Sequence, residues 1–261
     1  MTRLSVNLNK VALVRNARGG ARPDVEAMGR IALAAGAHGL TLHPRPDGRH
    51  ARADDVRALA ALCASAGAEM NVEGNPFEEA STGADGYAFP GFLALVRDVR
   101  PAQATLVPDA AGQRTSDHGW SVDGAARLAP LIADLRARGI RVSLFVDPDP
   151  AAVAAAAAAG ADRVELYTGP YAEAFVVGRD VRPAYRAAAE AARAAGLGVN
   201  AGHDLDLDNL GPFLDAVPGV DEVSIGQALV ADALERGMSA AVGAYVQACR
   251  RVSGRRARSS R

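Results

Sequence analysis

The stretch Ala156-Ala-Ala-Ala-Gly-Ala-Asp-Arg-Val-Glu-Leu-Tyr167 decides the fold. It reads as the end of an Ala-rich helix, a glycine that stops it, and a short strand of aliphatic residues. The same unit recurs at Leu33-Ala-Ala-Gly-Ala-His-Gly-Leu-Thr-Leu-His43 and Ala64-Ser-Ala-Gly-Ala-Glu-Met-Asn-Val-Glu73. It returns at Arg136-Ala-Arg-Gly-Ile-Arg-Val-Ser-Leu-Phe-Val-Asp147 and Ala194-Ala-Gly-Leu-Gly-Val-Asn-Ala-Gly-His203. Gly36, Gly67, Gly139, Gly160 and Gly196 stand where a helix ends on a left-handed residue. The uneven spacing of the units fits βα repeats better than a solenoid of fixed period.

With the less regular units included, eight strands are expected, near 3–9, 39–43, 69–73, 103–107, 140–146, 162–167, 197–201 and 221–225. Helices are expected near 23–35, 52–66, 91–99, 122–138, 149–159, 180–195, 206–216 and 227–250, the last broken at Gly237. Eight strands alternating with helices predict an α/β fold, a (β/α)8 TIM barrel forming a single domain with additional helical segments. An open doubly wound sheet is the runner-up, but the first turn, Asn7-Leu-Asn-Lys-Val, lacks a Gly-x-Gly-x-x-Gly element. The barrel domain is expected to span 1–250. Long polar connections at 74–90, 108–120 and 168–179 follow strands three, four and six, and so share the end of the barrel where active sites form.

The chain of 261 residues is 49% apolar but only 5% aromatic, so its core must be built from Ala, Val, Leu and Ile. No run of 18 apolar residues suggests a membrane span. The N-terminus shows no signal-peptide pattern, and Cys63 and Cys249 sit in no motif, so a reducing cytoplasm is the expected compartment. Residues 250–261 hold six arginines and no acid, leaving 23 basic and 30 acidic residues in the remainder. That balance argues against a nucleic-acid-binding body. The Arg-rich tail 251–261 is expected to be a solvated, disordered end rather than a tether. Of the 29 basic residues all but Lys10 are arginine. Lysine supplies a compact charge or an amine nucleophile where arginine cannot, which singles Lys10 out.

Polar residues at the C-terminal ends of barrel strands converge on one cavity. Those ends supply Asn7, Asn9 and Lys10, then His43 and Arg45, Glu73, Glu165, and finally Asn200 and His203. His43 titrates near neutrality, as a general base must, and Arg45, Arg49 and His50 follow it in a loop suited to anions. Glu73 and Glu165 end apolar runs, where partial desolvation raises a carboxyl pKa and allows proton shuttling. Gly202 and Gly226 close strands seven and eight, the second at a helix start, the recurrent phosphate site of barrels. His38 falls on the opposite end and is read as structural; His118 and Trp120 are possible lid contacts. A metal ring of Glu73, Glu165, His203 and Asp147 is weighed, but no tight His or Cys cluster supports it.

The segments Asn7-Leu-Asn-Lys-Val-Ala-Leu-Val-Arg-Asn-Ala-Arg-Gly19, Leu42-His-Pro-Arg-Pro-Asp-Gly-Arg-His50, Asn71-Val-Glu73, Leu106-Val-Pro108, Val164-Glu-Leu-Tyr-Thr-Gly169, Asn200-Ala-Gly-His-Asp-Leu205 and Glu222-Val-Ser-Ile-Gly226 resemble the pyridoxine 5′-phosphate synthase family. The resemblance runs in order from about residue 3 to 250. It implies condensation of 1-deoxy-D-xylulose 5-phosphate with 3-amino-2-oxopropyl phosphate to pyridoxine 5′-phosphate, phosphate and water. It implies no metal or organic cofactor, phosphorylated small molecules as partners, and a homo-oligomer, with neither nucleic acid nor membrane involved.

By the same resemblance His43 and Glu73 take acid–base roles, His203 a second proton transfer, and Glu165 stabilises charged intermediates. Asn7, Arg18 and Gly226 would hold the aminoketone phosphate, and Arg45, His50 and Thr115 the deoxyxylulose phosphate. Three departures stand out. Asn9-Lys10 replaces an Asp-His pair common in the family, with Lys10 supplying charge near the deoxyxylulose phosphate. Gln227 replaces a histidine, and Asp204 a glycine; both are counted among the substrate-binding residues. The third connection, around 76–90, is longer than the family leads one to expect. Two rival readings remain open: a class I aldolase with Lys10 as Schiff base, and a ligand-binding barrel that has lost catalysis.

Overall fold

A computed structural model describes residues 1–83, 85–110 and 112–259, the last nine of these by backbone alone. The strands are β1 (Arg3–Asn7), β2 (Gly39–Leu42), β3 (Glu69–Gly74), β4 (Ser81–Thr82), β5 (Ala88–Phe89), β6 (Gln103–Leu106), β7 (Arg141–Val146), β8 (Arg163–Tyr167), β9 (Gly198–Gly202) and β10 (Val220–Ile225). The helices are α1 (Asn9–Asn16), α2 (Val25–Ala34), α3 (Ala53–Ala66), α4 (Phe92–Val99), α5 (Val122–Ala126), α6 (Ala129–Ala137), α7 (Pro150–Ala158), α8 (Gly169–Val176), α9 (Arg182–Ala194), α10 (Leu210–Ala216), α11 (Gln227–Arg236) and α12 (Met238–Ser259). Eight strands close into a barrel in the order β1-β10-β9-β8-β7-β6-β3-β2, and every neighbouring pair is parallel. Among the described residues no helix is long and apolar enough to cross a membrane.

The alternation along each strand explains why the barrel closes. Val6, Leu42, Val72, Leu106, Leu144, Val164, Val199 and Val223 are fully buried and form an aliphatic layer with the helices. The residues between them face the barrel axis and are polar: Ser5, Thr41, Asn71, Gln103, Thr105, Ser143, Glu165, Asn200 and Glu222 are all buried. Several pair with one another: Ser5 with Thr41 at 2.7 Å, Thr105 to Asn71 at 3.0 Å, and Asn200 across the barrel to Gln103 at 3.3 Å. Barrel interiors are more often filled by branched aliphatic residues. Here the apolar core lies between strands and helices, and a hydrogen-bonded column leads up to the site.

The expected left-handed stops are present: Gly36, Gly67, Gly139, Gly160 and Gly196 have φ of 99°, 64°, 79°, 87° and 78°. Helix starts follow ordinary capping, with Asp24 accepting from Ala27 N, Ser121 from Gly124 N and Asp149 from Ala151 N.

Four expectations need correction. The first strand ends at Asn7, and Asn9 and Lys10 open helix α1 instead of ending a strand. The connection 168–179 is largely helix α8; Gly169-Pro170 reads as a breaker, but proline is favoured in a first helical turn. The single helix expected at 122–138 is two, because Pro130 starts the second. Residues 206–209 form a turn before α10, with Asp206 Oδ1 accepting from Asp208 N and Asn209 N. The long third connection is ordered by the β4–β5 hairpin, and the Tyr87 hydroxyl accepts from Ala53 N. Helix α12 is separated from α11 at Gly237, as expected, and its bounds extend to Ser259. The side chains of 251–261 lie outside the described residues, so the expectation for the tail does too.

Candidate active site

A cavity of about 570 Å³ opens at the C-terminal end of the barrel. The structure brings to it Asn7, Asn9, Lys10, His43, Arg45, His50, Glu73, Thr115, Glu165, His203, Asp204, Gly226 and Gln227. Two expected residues stay away: Arg18 is exposed on the turn after α1, and Asn200 lies deeper in the barrel, bonded to Arg163 and Gln103.

The floor holds the acid–base groups. Asn9 Oδ1 accepts from His43 N at 2.9 Å and so fixes the end of β2. The His43 ring then lies between two carboxylates, with Nδ1 3.9 Å from Glu73 Oε2 and Nε2 3.5 Å from Asp109 Oδ2. Burial pushes the imidazole well below its ordinary value, and the positive charge of Arg45 adds to the effect. Glu73 receives only neutral donors, from Asn7, Asn71 and Ser224, each at 3.4 Å. Burial, then the charges of Glu165 and Asp109, raise its carboxyl well above the usual range. Glu165 is likewise raised to about 8 by burial and then by Glu222. His43 Nε2 and Glu165 Oε2 have no hydrogen-bond partner among the described residues. The site therefore sets an imidazole whose cation is disfavoured beside two carboxyls whose anions are disfavoured.

The walls carry the anion-binding groups. Arg45 is buried and ion-paired with Asp109, whose Oδ2 also accepts from Ser116. Arg45 and Arg49 donate to Gln113 O, and Arg49 also to Arg114 O, so both arginines anchor the 107–121 loop. His50 is lowered to about 3 by burial and by Arg45, Arg49 and Lys10. Its Nδ1 accepts from Ala51 N at 2.9 Å. In that loop Thr115 Oγ1 meets His203 Nε2 at 2.7 Å. Trp120 is structural: its indole donates to Leu106 O and the ring is buried. His118 is exposed beside Asp117, and Asp147 accepts from Gly119 N. His38 accepts from Leu4 N at the other end, as expected of a structural residue.

Gly202 and Gly226 are small because space demands it. A Cβ at Gly202 would lie 2.9 Å from Glu165 Oε1 and 2.6 Å from Ser224 O, and one at Gly226 3.1 Å from Asn7 Cβ. Gly226 caps the ten-residue helix α11, whose first residue is Gln227, leaving backbone donors aimed at the cavity.

Sequence reasoning missed two groups. Asp109 looked like a loop residue, yet its side chain is 1% exposed. Glu78, in the third connection, is raised to about 7 by burial, against the opposing charge of Arg45. The motif Leu106-Val-Pro-Asp109 was a usable signal for the first, since a lone acid closing an apolar run needs a buried partner.

A family model described as "Pyridoxal phosphate biosynthesis protein PdxJ" matches residues 4–251. A pyridoxine 5′-phosphate synthase from Xanthomonas axonopodis pv. citri is 57% identical over 252 residues, 95% of this chain and 97% of the relative. One from Albidiferax ferrireducens is 56% identical over 252 residues, 94% of this chain and 96% of the relative. Among solved structures, tryptophan synthase from M. tuberculosis aligns with a TM-score of 0.62 at 15% identity, over 95% of this chain and 92% of that one, a likeness of fold alone. With a full-length family match and relatives above half identity, the chain belongs to the pyridoxal phosphate biosynthesis PdxJ family.

Proposed function

We propose that the chain is a pyridoxine 5′-phosphate synthase, joining 1-deoxy-D-xylulose 5-phosphate to 3-amino-2-oxopropyl phosphate. The observation that carries this reading is the floor of the cavity: the buried His43 imidazole 3.9 Å from the Glu73 carboxyl, the first with its cation and the second with its anion disfavoured, beneath a wall of cations. Condensation of an amine with a ketone needs both groups at once. The base takes a proton from the attacking amine, and the acid gives one to the departing hydroxyl. His43 suits the first task because burial and Arg45 disfavour its cation, and Glu73 the second because burial disfavours its anion.

Later steps expel phosphate, close the ring and remove further protons. His203 serves as a second proton carrier on the far wall. Glu165 is neutral beneath the reacting atoms. A developing iminium cation would draw off its proton and leave a counter-ion where positive charge appears. Lys10, Arg45, His50 and Thr115 hold the deoxyxylulose phosphate. Asn7, Gln227 and the amides at Gly226 hold the aminoketone phosphate between Gly202 and Gly226. The ion pair of Arg45 with Asp109 must loosen for the guanidinium to accept a phosphate, which ties substrate entry to movement of the 107–121 loop. The walled cavity limits hydrolysis of enamine-like intermediates.

The test is incubation with both phosphates, following pyridoxine 5′-phosphate by absorbance and inorganic phosphate by ³¹P NMR. Product and phosphate in equal amounts, and none with either substrate alone, is the expected result. Binding of both substrates without product would refute the reading.

A further inference from the structure

The functional reading uses His203 and leaves its neighbour Asp204 without a role. Both are non-glycine residues in the left-handed region, with φ of 59° and 45°. Adjacent residues rarely adopt it without compensation, and such strain gathers where a side chain must be aimed. Here the surroundings hold it in place. The Thr168 hydroxyl donates to His203 O at 2.7 Å, the Asn209 amide to Asp204 O at 3.2 Å, and the edge of the Tyr167 ring meets His203 at 5.4 Å between centroids. The result turns the two side chains together, with His203 Nδ1 2.7 Å from Asp204 Oδ2.

We propose that Asp204 is a positioning residue that fixes the tautomer of His203, leaving Nε2 as the proton acceptor facing Thr115 and the cavity. The inference rests on the reading of His203 as a proton carrier. A carboxylate only accepts, so the neutral imidazole must place its proton on Nδ1. Nε2 then carries a lone pair, and the Thr115 hydroxyl, 2.7 Å away, donates to it. The other charged or titratable groups around the ring leave this choice to Asp204. Tyr167 packs edge-to-face with the ring, His43 lies across the floor, and Asp204 is held below the usual carboxyl value by the hydrogen bond from His203, with Lys10 adding a smaller effect. A consequence follows for order of events. Thr115 occupies Nε2 until a substrate phosphate takes its hydroxyl, so phosphate binding exposes the base.

The experiment is long-range ¹H–¹⁵N spectroscopy of the full chain labelled with ¹⁵N-histidine, at a pH where the imidazole is neutral. His203→Asn identifies the resonance among the five histidines. In the unsubstituted protein the proton is expected on Nδ1 in about tenfold excess over the other tautomer. In Asp204→Gly, whose backbone accepts the same positive φ, the acceptor is gone. The proton is then expected to move to Nε2 and point at Thr115. An Nε2 proton in the unsubstituted protein, or the same tautomer in both proteins, would overturn the proposal. A role for Asp204 in merely shaping the turn predicts that second result. Absence of product in the synthase assay would overturn the functional reading instead and leave the tautomer result standing.

Discussion

The two ends of the barrel carry the same residue types and use them in opposite ways. Glu69 and Glu73 sit four residues apart on β3, on one face. At the N-terminal end, Glu69 is ion-paired with both Arg3 and Arg141. Burial pushes its carboxyl up, but the hydrogen bond from Arg141 and the charges of Arg141 and Arg3 outweigh burial and hold it below the usual value. Arg163 beside it donates to Asn200, and Arg141 to Gln103. At the C-terminal end, Glu73 and Glu165 meet burial and other carboxylates but no cation as a dominant partner, so both rise. Burial pushes all three carboxyls up, less at the half-buried Glu69 than at the buried Glu73 and Glu165; the cations paired with Glu69 reverse the sign there and make it a strut, not an acid. Within the site itself Asp109 is the carboxylate that is ion-paired, with Arg45.

The largest effect that this contrast predicts is on chemistry. Glu73→Gln keeps the shape and removes the transferable proton, so kcat should fall about 10²–10⁴-fold. A variant keeping more than about half of the parent kcat would make Glu73 another strut and erase the distinction. Next in size is Lys10, the only lysine, at the start of α1 on the cavity wall. A charge-assisted phosphate contact is worth about 1.5–3 kcal/mol, about ten- to a hundredfold in binding. Lys10→Met should raise KM for the deoxyxylulose phosphate by that factor and leave KM for the aminoketone nearly unchanged. Lys10→Arg should recover part of the loss, since charge is kept and geometry is not. Equal changes in both KM values would count against the assignment. An inactive arginine variant would favour an imine-forming amine.

A smaller effect is expected at the paired end. Glu69→Gln should lower stability by about 1 kcal/mol, the scale of a partly exposed ion pair, with kcat unchanged. A matching loss of kcat would show that the N-terminal end takes part in chemistry.

Much of this was legible in the sequence, for identifiable reasons. The glycine-stopped units gave the barrel because each stop needs a left-handed backbone, which all five glycines adopt. Strand-end polar residues mark the cavity because barrel geometry alone brings them together, whatever the loops do. The misreadings arose where local signals carry two meanings. Gly169-Pro170 serves both a loop and a helix start, and Asn9 serves a strand end as well as a helix whose side chain ties down His43. Asp109 was hidden because its partner Arg45 lies 64 residues away, beyond any local pattern. Arg18 matched a motif, but motif membership carries no information on which way a surface turn presents its side chain.

The most direct test of the central claim applies one substitution to both ends. Glu165 keeps a proton in the folded state up to about pH 8 that the unfolded chain gives up near 4.5. Folding therefore loses stability as pH rises between those values, and Glu165→Gln removes the loss. Glu69 has the opposite sign. Its stabilisation is present above the unfolded value and disappears as pH falls through the lower folded one. Thermal unfolding at about pH 8.5 and pH 4 should thus find Glu165→Gln melting above the parent at the higher pH, by about 2–4 °C per kcal/mol. Glu69→Gln should melt below the parent there, and both differences should shrink in acid. Shifts of the same sign for the two variants at the higher pH would contradict the claim that cation pairing outweighs burial at Glu69 and burial prevails at Glu165.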